Sequence, residues 1–317
     1  MNYIKHRGKL SFQTSSFSSV ECLSEYALNN IIDILLIGED AITELDSLRE
    51  KAKYIFILTK KRDSKECSSY PGIYKFQSAD LIVMEIMEYY MENNNQKRLI
   101  KTAGNNQKTI CTFSLSEKSK KTIFSLALGS YYGSSYKTLY INLDLFSRLS
   151  FLNSRESPGF SELLYYIKQR NPNLIMKLET IVHTCNNFDI IPPAGCYQDL
   201  LEVNEDDIVF FLQYLHDYSN YEIVIFDTSF SGKNILPLLH SCNQIYVAVD
   251  NDFLSQDSKN AFYEQLKEGG ENEILEKIKE VILPWEERMP PEDFISLDMF
   301  NEGSIYNYVA GLLETVV

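Results

Sequence analysis

The chain has 317 residues, a formal net charge of −14, 44% hydrophobic residues and 23% charged residues. That length holds two domains with filled cores, while the acidic balance opposes nucleic-acid binding, which draws most of its affinity from Lys and Arg neutralising phosphates. No apolar run approaches the roughly 18 residues a bilayer span needs, so direct membrane insertion is not expected, and residues 1–10 lack the apolar core of a secretory signal.

In chain order, the pattern predicts a strand at residues 10–13, a helix at 18–30, a buried strand at 33–37 and a helical stretch at 45–51. Strands at 54–59 and 73–76 and a helix at 79–91 follow. Apolar strands alternating with amphipathic stretches give a parallel sheet covered on both faces. Residues 91–108 are polar, rich in Asn and carry Gly104, the composition of a linker. The domains expected are 1–95 and 108–317, with 96–107 between them. In the second, strands are predicted at 109–113, 138–142, 188–191, 222–226, 244–249 and 278–283. The clearest helix is 204–218: Asn204 can cap it, Glu205, Asp206 and Asp207 suit its positive start, and Ile208, Phe211, Leu212 and Leu215 share one face. Asn171-Pro172 ends the helix before it. The fold class is α/β, two doubly wound parallel-sheet domains. Six cysteines are scattered without a Cys-x-x-Cys pair, as in a reduced compartment, and His183, Cys185 and Cys196 fit no zinc spacing.

Residues 107–128 have the layout of a phosphate-binding loop without its glycines. A strand-like run leads into a short polar loop, and Lys121-Thr122 then opens a helix-like run through Ile123, Leu126, Ala127 and Leu128. In a P-loop, glycines let backbone N–H groups close around phosphate, while the Lys and Thr serve phosphate and Mg²⁺. Here Leu115, Glu117, Lys118 and Lys120 stand where glycines are expected. A Lys-Thr pair in a lysine-rich, solvated turn is the ordinary alternative.

Two acids fall at strand ends, where ligands bind in open parallel sheets. Asp144 follows the strand at 138–142, and Asp227 closes the run Ile223-Val-Ile-Phe, the pattern that holds Mg²⁺ through water in P-loop enzymes. Pro284-Trp285 ends a late strand with a rigid turn suited to walling off a base. Singly, such aspartates also cap helices and a Trp also packs a core. Their order along the chain is what makes a P-loop derivative the better reading.

With those residues in place, 108–317 resembles the ParA/MinD group of P-loop ATPases. Residues 113–123 align with that group's deviant loop, Asn142-Leu-Asp144 with its first switch, 188–195 with an intervening strand and turn, and 223–228 with its second acidic strand. The resemblance implies ATP and Mg²⁺ as cofactors. Glu117, Lys118, Ser119, Lys120, Lys121, Thr122 and Ile123 would line the phosphates, with Asp227, Pro284 and Trp285 completing the nucleotide site. Lys121 would bind the β- and γ-phosphates. Thr122, Asp144 and Asp227 would serve Mg²⁺, partly through water, and Asp144 would orient the attacking water as the catalytic group. Ser116 replaces the group's signature lysine, and Glu117 sets a negative charge beside a polyanion, so binding with slow or absent turnover is expected, at most a slow ATPase.

The first domain resembles a receiver (flavodoxin-like) domain in degenerate form. Gly38 stands where the phospho-acceptor aspartate belongs, Thr59 at the switch hydroxyl and Lys75 at the lysine, while the stretch before Leu10 is too short for a full first βα unit. Such a domain takes no phosphate and serves protein contact. A degenerate receiver joined to an altered ParA/MinD domain is similar to TadZ and CpaE-like proteins of Flp (tight-adherence, Tad) pilus systems. That resemblance implies a cytoplasmic localisation or assembly factor, polar or at the inner face of the membrane through partners. It implies a homodimer that recruits a secretion ATPase or other pilus-assembly proteins through the receiver-like domain. The alternatives are an active ParA/MinD-type partition or division-site ATPase, and a nucleotide-free scaffold.

Overall fold

The computed structural model describes residues 14–41, 48–61, 66–67, 70–93, 106–115, 121–147, 149, 159–229, 235–283 and 304–314. The chain divides into two compact units, Met1–Lys97 and Arg98–Val317.

The first unit begins with α1 (Val20–Tyr26), capped by Ser19, whose side chain accepts from the Cys22 amide. Then come β1 (Ile32–Gly38), β2 (Ala52–Thr59), the two-residue β3 (Glu66–Cys67), β4 (Tyr70–Tyr74) and α2 (Ala79–Asn93). The sheet order is β1-β2-β4-β3. The first three strands are parallel, and β3 adds an antiparallel edge to β4 that the sequence did not announce. Strand pleating sends alternate side chains to opposite faces. Leu35, Ile37, Ile55 and Ile57 therefore pack with Leu23 of α1 and with Leu48, while Phe56 and Ile73 pack with Ile86 of α2. The strand expected at 10–13 lies outside the described residues, as do the first three residues of the helix expected at 45–51. Its described end is a turn, in which the Lys51 amide donates to the Leu48 carbonyl at 3.0 Å.

The second unit carries β5 (Lys108–Ser114), α3 (Lys121–Gly133), β6 (Thr138–Asn142), α4 (Phe160–Lys168), α5 (Leu174–Ile181), β7 (His183–Cys185) and β8 (Phe188–Ile191). It continues with α6 (Tyr197–Leu201), α7 (Glu205–Tyr218), β9 (Ile223–Ser229), α8 (Ile235–Ser241), β10 (Gln244–Ala248), α9 (Phe253–Glu268), α10 (Asn272–Lys277), β11 (Ile278–Val281) and α11 (Ser304–Glu314). The seven-stranded sheet runs β11-β10-β5-β9-β6-β8-β7. Every pair is parallel except β7 with β8. His183 and Cys185, weighed above as metal ligands, thus belong to an antiparallel edge strand, with His183 opposite Ile190.

Its interior strands are apolar on both sides, as a doubly covered sheet requires. Cys111, Phe113, Leu139, Ile141, Val224 and Phe226 face a core completed by α4, α5, α7, α8 and α9. Ile110, Tyr140, Ile190, Ile225 and Tyr246 face the other, completed by α3 and α11. Helix α3 is apolar over most of its circumference, the mark of a helix covered on more than one side, and it is buried from Phe124 through Ser130. It lies so close to β8 that a Cβ at Gly133 would come within 2.7 Å of the Asn187 carbonyl oxygen. Asn204 caps α7 as expected, and the cap is reciprocal: its side chain accepts from the Asp207 amide while the Asp207 carboxylate accepts from the Asn204 amide. The Asn171-Pro172 break does end a helix, α4, although α5 and α6 intervene before α7.

Candidate functional site

Three adjacent strands build the site. Register places Thr112 of β5 opposite Asp227 of β9, and Asp227 opposite Asn142 of β6. All three residues sit near the carboxyl ends of their strands and share the face covered by α3, because each lies an even number of residues from Ile110, Ile225 or Tyr140 on that face. Lys121 is the first residue of α3 and leans across this row.

Lys121 is 4% exposed and Asp227 is 0% exposed, and the two form an ion pair through Nζ and Oδ1. The same ammonium donates to both oxygens of Asp144, at 3.1 and 2.9 Å. Asp144 is held in turn: its amide donates to the Asn142 side-chain oxygen at 3.0 Å, and the Ser229 hydroxyl donates to its Oδ1 at 2.7 Å. The second oxygen of Asp227 accepts from the Tyr140 hydroxyl at 2.7 Å and from the Asn142 side-chain amide at 3.1 Å. Beneath them, the Thr112 hydroxyl lies 2.5 Å from that of Ser125, which donates to the Lys121 carbonyl at 2.8 Å. Thr112 also reaches Asp227 Oδ1 at 3.5 Å.

The result is one ammonium between two carboxylates, with every donor in the cluster directed. Burial first, and the Asp227 charge second, push the Tyr140 phenol well above its ordinary range, so it stays protonated and donates to Asp227. Such a buried pair is worth keeping only when the remaining lone pairs are also satisfied, and here Tyr140, Asn142 and Thr112 satisfy them.

Lys121, Asp144 and Asp227 thus come together. Thr122 is half-buried one residue along α3, and Ile123 packs against the core beneath α3. Glu117, Lys118, Ser119, Lys120, Pro284 and Trp285 lie outside the described residues. Tyr140, Thr112, Ser125 and Ser229 were not anticipated. The available signal was parity: a polar residue two places before Asn142 in an otherwise apolar strand has to meet something on the same face. Among the described residues, no group of three or more His, Cys, Asp or Glu side chains is gathered as a metal centre. The oxygen donors Thr122, Asp144 and Asp227 are of the kind Mg²⁺ takes.

A helix opening on Lys121-Thr122, with one acid inside β9 near its carboxyl end and another just past β6, sits at the carboxyl edge of a largely parallel sheet covered on both faces: the second unit is a doubly wound α/β domain. The sequence matches no protein-family model and no curated protein. Among solved structures, a ParA family ATPase from Chlorobium tepidum TLS overlaps at 14% identity and a TM-score of 0.48, over 62% of this chain and 80% of that one. A plasmid partition protein from Borrelia burgdorferi overlaps at 16% identity and a TM-score of 0.49, over 67% and 99%. A putative plasmid partition protein from Borrelia burgdorferi B31, bound to AMPPNP, overlaps at 13% identity and 0.45, over 67% and 99%. Likeness at this level leaves the function to the chain's own residues.

Proposed function

We propose that the second domain binds ATP with Mg²⁺ as a ParA/MinD-type dimerisation switch with weak or no hydrolysis. The observation that carries this reading is the placement of Lys121: first in α3, at the carboxyl ends of β5, β6 and β9, buried and facing two strand-end carboxylates. A helix start at the carboxyl edge of a parallel sheet is where phosphate is favoured. Lys121 would exchange the Asp144 carboxylate for phosphate, and the acids beside it would face the ion. Bound Mg²⁺ would supply the positive charge that lets phosphate and these acids share the pocket. Asp227, fixed by Tyr140 and Asn142, would keep one oxygen toward the site. Asp144, more exposed, would be the group that moves.

Beyond nucleotide, the reading is a cytoplasmic localisation or assembly factor for a Flp (Tad) pilus or a type II/IV-like secretion system. It would contact its secretion ATPase or other assembly partners through the first domain. What supports this is domain order together with the glycine-poor loop. Helix α11 has no Lys or Arg and buries Ile305 and Val309 in the core, so this helix does not present the basic, amphipathic surface of a membrane-attaching helix. Among the described residues, no helix is long and apolar enough to cross a membrane.

Thermal unfolding tests the nucleotide reading. A ligand present at about 100 times its Kd stabilises the native state by about 2.7 kcal/mol, so millimolar Mg·ATP is expected to raise Tm by several degrees, and Lys121→Ala to abolish the shift. No shift in the wild type would favour the second reading, a nucleotide-free scaffold. That reading has its own observation: the Lys121 ammonium is already satisfied by Asp144 and Asp227.

A further inference from the structure

The two carboxylates on Lys121 are not equivalent. Asp227 lies inside an interior strand with no exposed surface and accepts from Lys121, Tyr140, Asn142 and Thr112. Asp144 lies past the end of β6 with its side chain 20% exposed, and, besides the ammonium, only the Ser229 hydroxyl reaches its carboxylate in the described residues. Ser229 is the last residue of β9 and the one exposed position in that strand. It sits two residues past Asp227, so one strand supplies both the fixed acid and the hydroxyl that aims the movable one.

We infer that Ser229 is a positioning residue that holds Asp144 closed across Lys121, so that Asp144 competes with nucleotide phosphate for the ammonium and Ser229 sets how strongly. This rests on the nucleotide reading above and assigns its regulation. Phosphate enters by displacing Asp144, not Asp227, because only Asp144 can swing into water without leaving buried donors unpaired. The Ser229 hydroxyl is the contact that this swing breaks.

The test pairs two readouts on the full chain: acetylation of Lys121 by sulfo-NHS-acetate, followed by peptide mass spectrometry, and affinity for AMPPNP with Mg²⁺. Ser229→Ala is expected to raise Lys121 labelling in the nucleotide-free protein and to tighten AMPPNP binding by about fivefold, the scale of one ordinary hydrogen bond. Ser229→Thr, which keeps the hydroxyl, should restore both. Unchanged labelling in Ser229→Ala overturns the inference whatever the nucleotide does. Raised labelling with unchanged or weaker AMPPNP affinity overturns the competition. Raised labelling in a protein that binds no AMPPNP in any form upholds the closure by Ser229 and removes the nucleotide reading instead.

Discussion

At the carboxyl end of the seven-stranded sheet, a lysine and an aspartate are withdrawn from water and every oxygen of the aspartate is engaged. At the carboxyl end of the four-stranded sheet, the corresponding strand ends carry Gly38, Thr59 and Lys75. A Cβ built on Gly38 would meet nothing within 4 Å. The buried Thr59 hydroxyl turns back to the Lys61 carbonyl at 3.0 Å, and Lys75 lies over the Phe76 ring at 4.9 Å from its centroid. The charge pair nearest by, Lys60 with Asp40 at 2.7 Å, has side chains 47% and 79% exposed. Both sheets follow one grammar, yet among the described residues only the seven-stranded one has a charge pair buried at its carboxyl end. Desolvated charges with directed partners cluster where chemistry or ligand recognition occurs, whereas an exposed pair contributes little. The contrast is what supports placing the proposed ligand chemistry in the second domain.

The comparison is open to attack at three strengths. Asp227→Ala should have the largest effect, because it strands the buried Lys121 ammonium and the Tyr140 and Asn142 donors. Breaking a buried pair from one side costs about 3–5 kcal/mol, and a urea midpoint for the second domain that barely moves would show that the buried cluster is not electrostatically tight. Tyr140→Phe should cost less, about 1.5–3 kcal/mol for one hydrogen bond to a charged group, and it carries a pH signature. The native Tyr140 phenol is raised by burial and by Asp227. Its contribution is therefore complete below the unfolded phenol value of about 10 and is lost as pH climbs from there toward the native value. Wild-type Tm should fall through that alkaline window, and Tyr140→Phe should flatten the fall; parallel slopes would remove Tyr140 from the network. Asp40→Ala should do least. The Lys60 hydrogen bond and charge hold the Asp40 carboxyl below its usual range, but water and salt screen that pair, so the urea midpoint should stay where it is. A clear loss would mean that the first domain's exposed pair contributes more than its screening implies.

Much of this was legible beforehand, for identifiable reasons. Runs such as Ile223-Val-Ile-Phe have few uses other than a strand covered on both faces, and Asn204 followed by Asp207 marks a helix start whatever surrounds it. The edge strands β3 and β7 escaped because strands of two and three residues carry no periodicity to detect. In the site, Lys121, Asp144 and Asp227 were visible as residues placed where a parallel sheet receives ligands. Their mutual pairing was not, since a sequence names the ends of strands but not which end leans on which. Tyr140 was hidden for a related reason: in a strand, an aromatic residue signals packing, and only the register to Asp227 turns its hydroxyl into a donor with a charged target. Ser229 was hidden by its ordinariness, as a serine at a strand exit with a role set entirely by its neighbour in space.

Helix α11, the last described element of the chain, buries Ile305 and Val309 in the same core as Phe124, Leu126 and Leu128 of α3, and Tyr308 rests 6.4 Å from the Phe124 ring. The segment that carries Lys121 therefore has its back wall supplied by a helix that begins more than 180 residues after that lysine. A binding partner that peeled that wall away, or a substitution that disturbed it, would unseat the lysine from behind without touching the pocket's mouth, and the front of the site would register an event at the helix behind it.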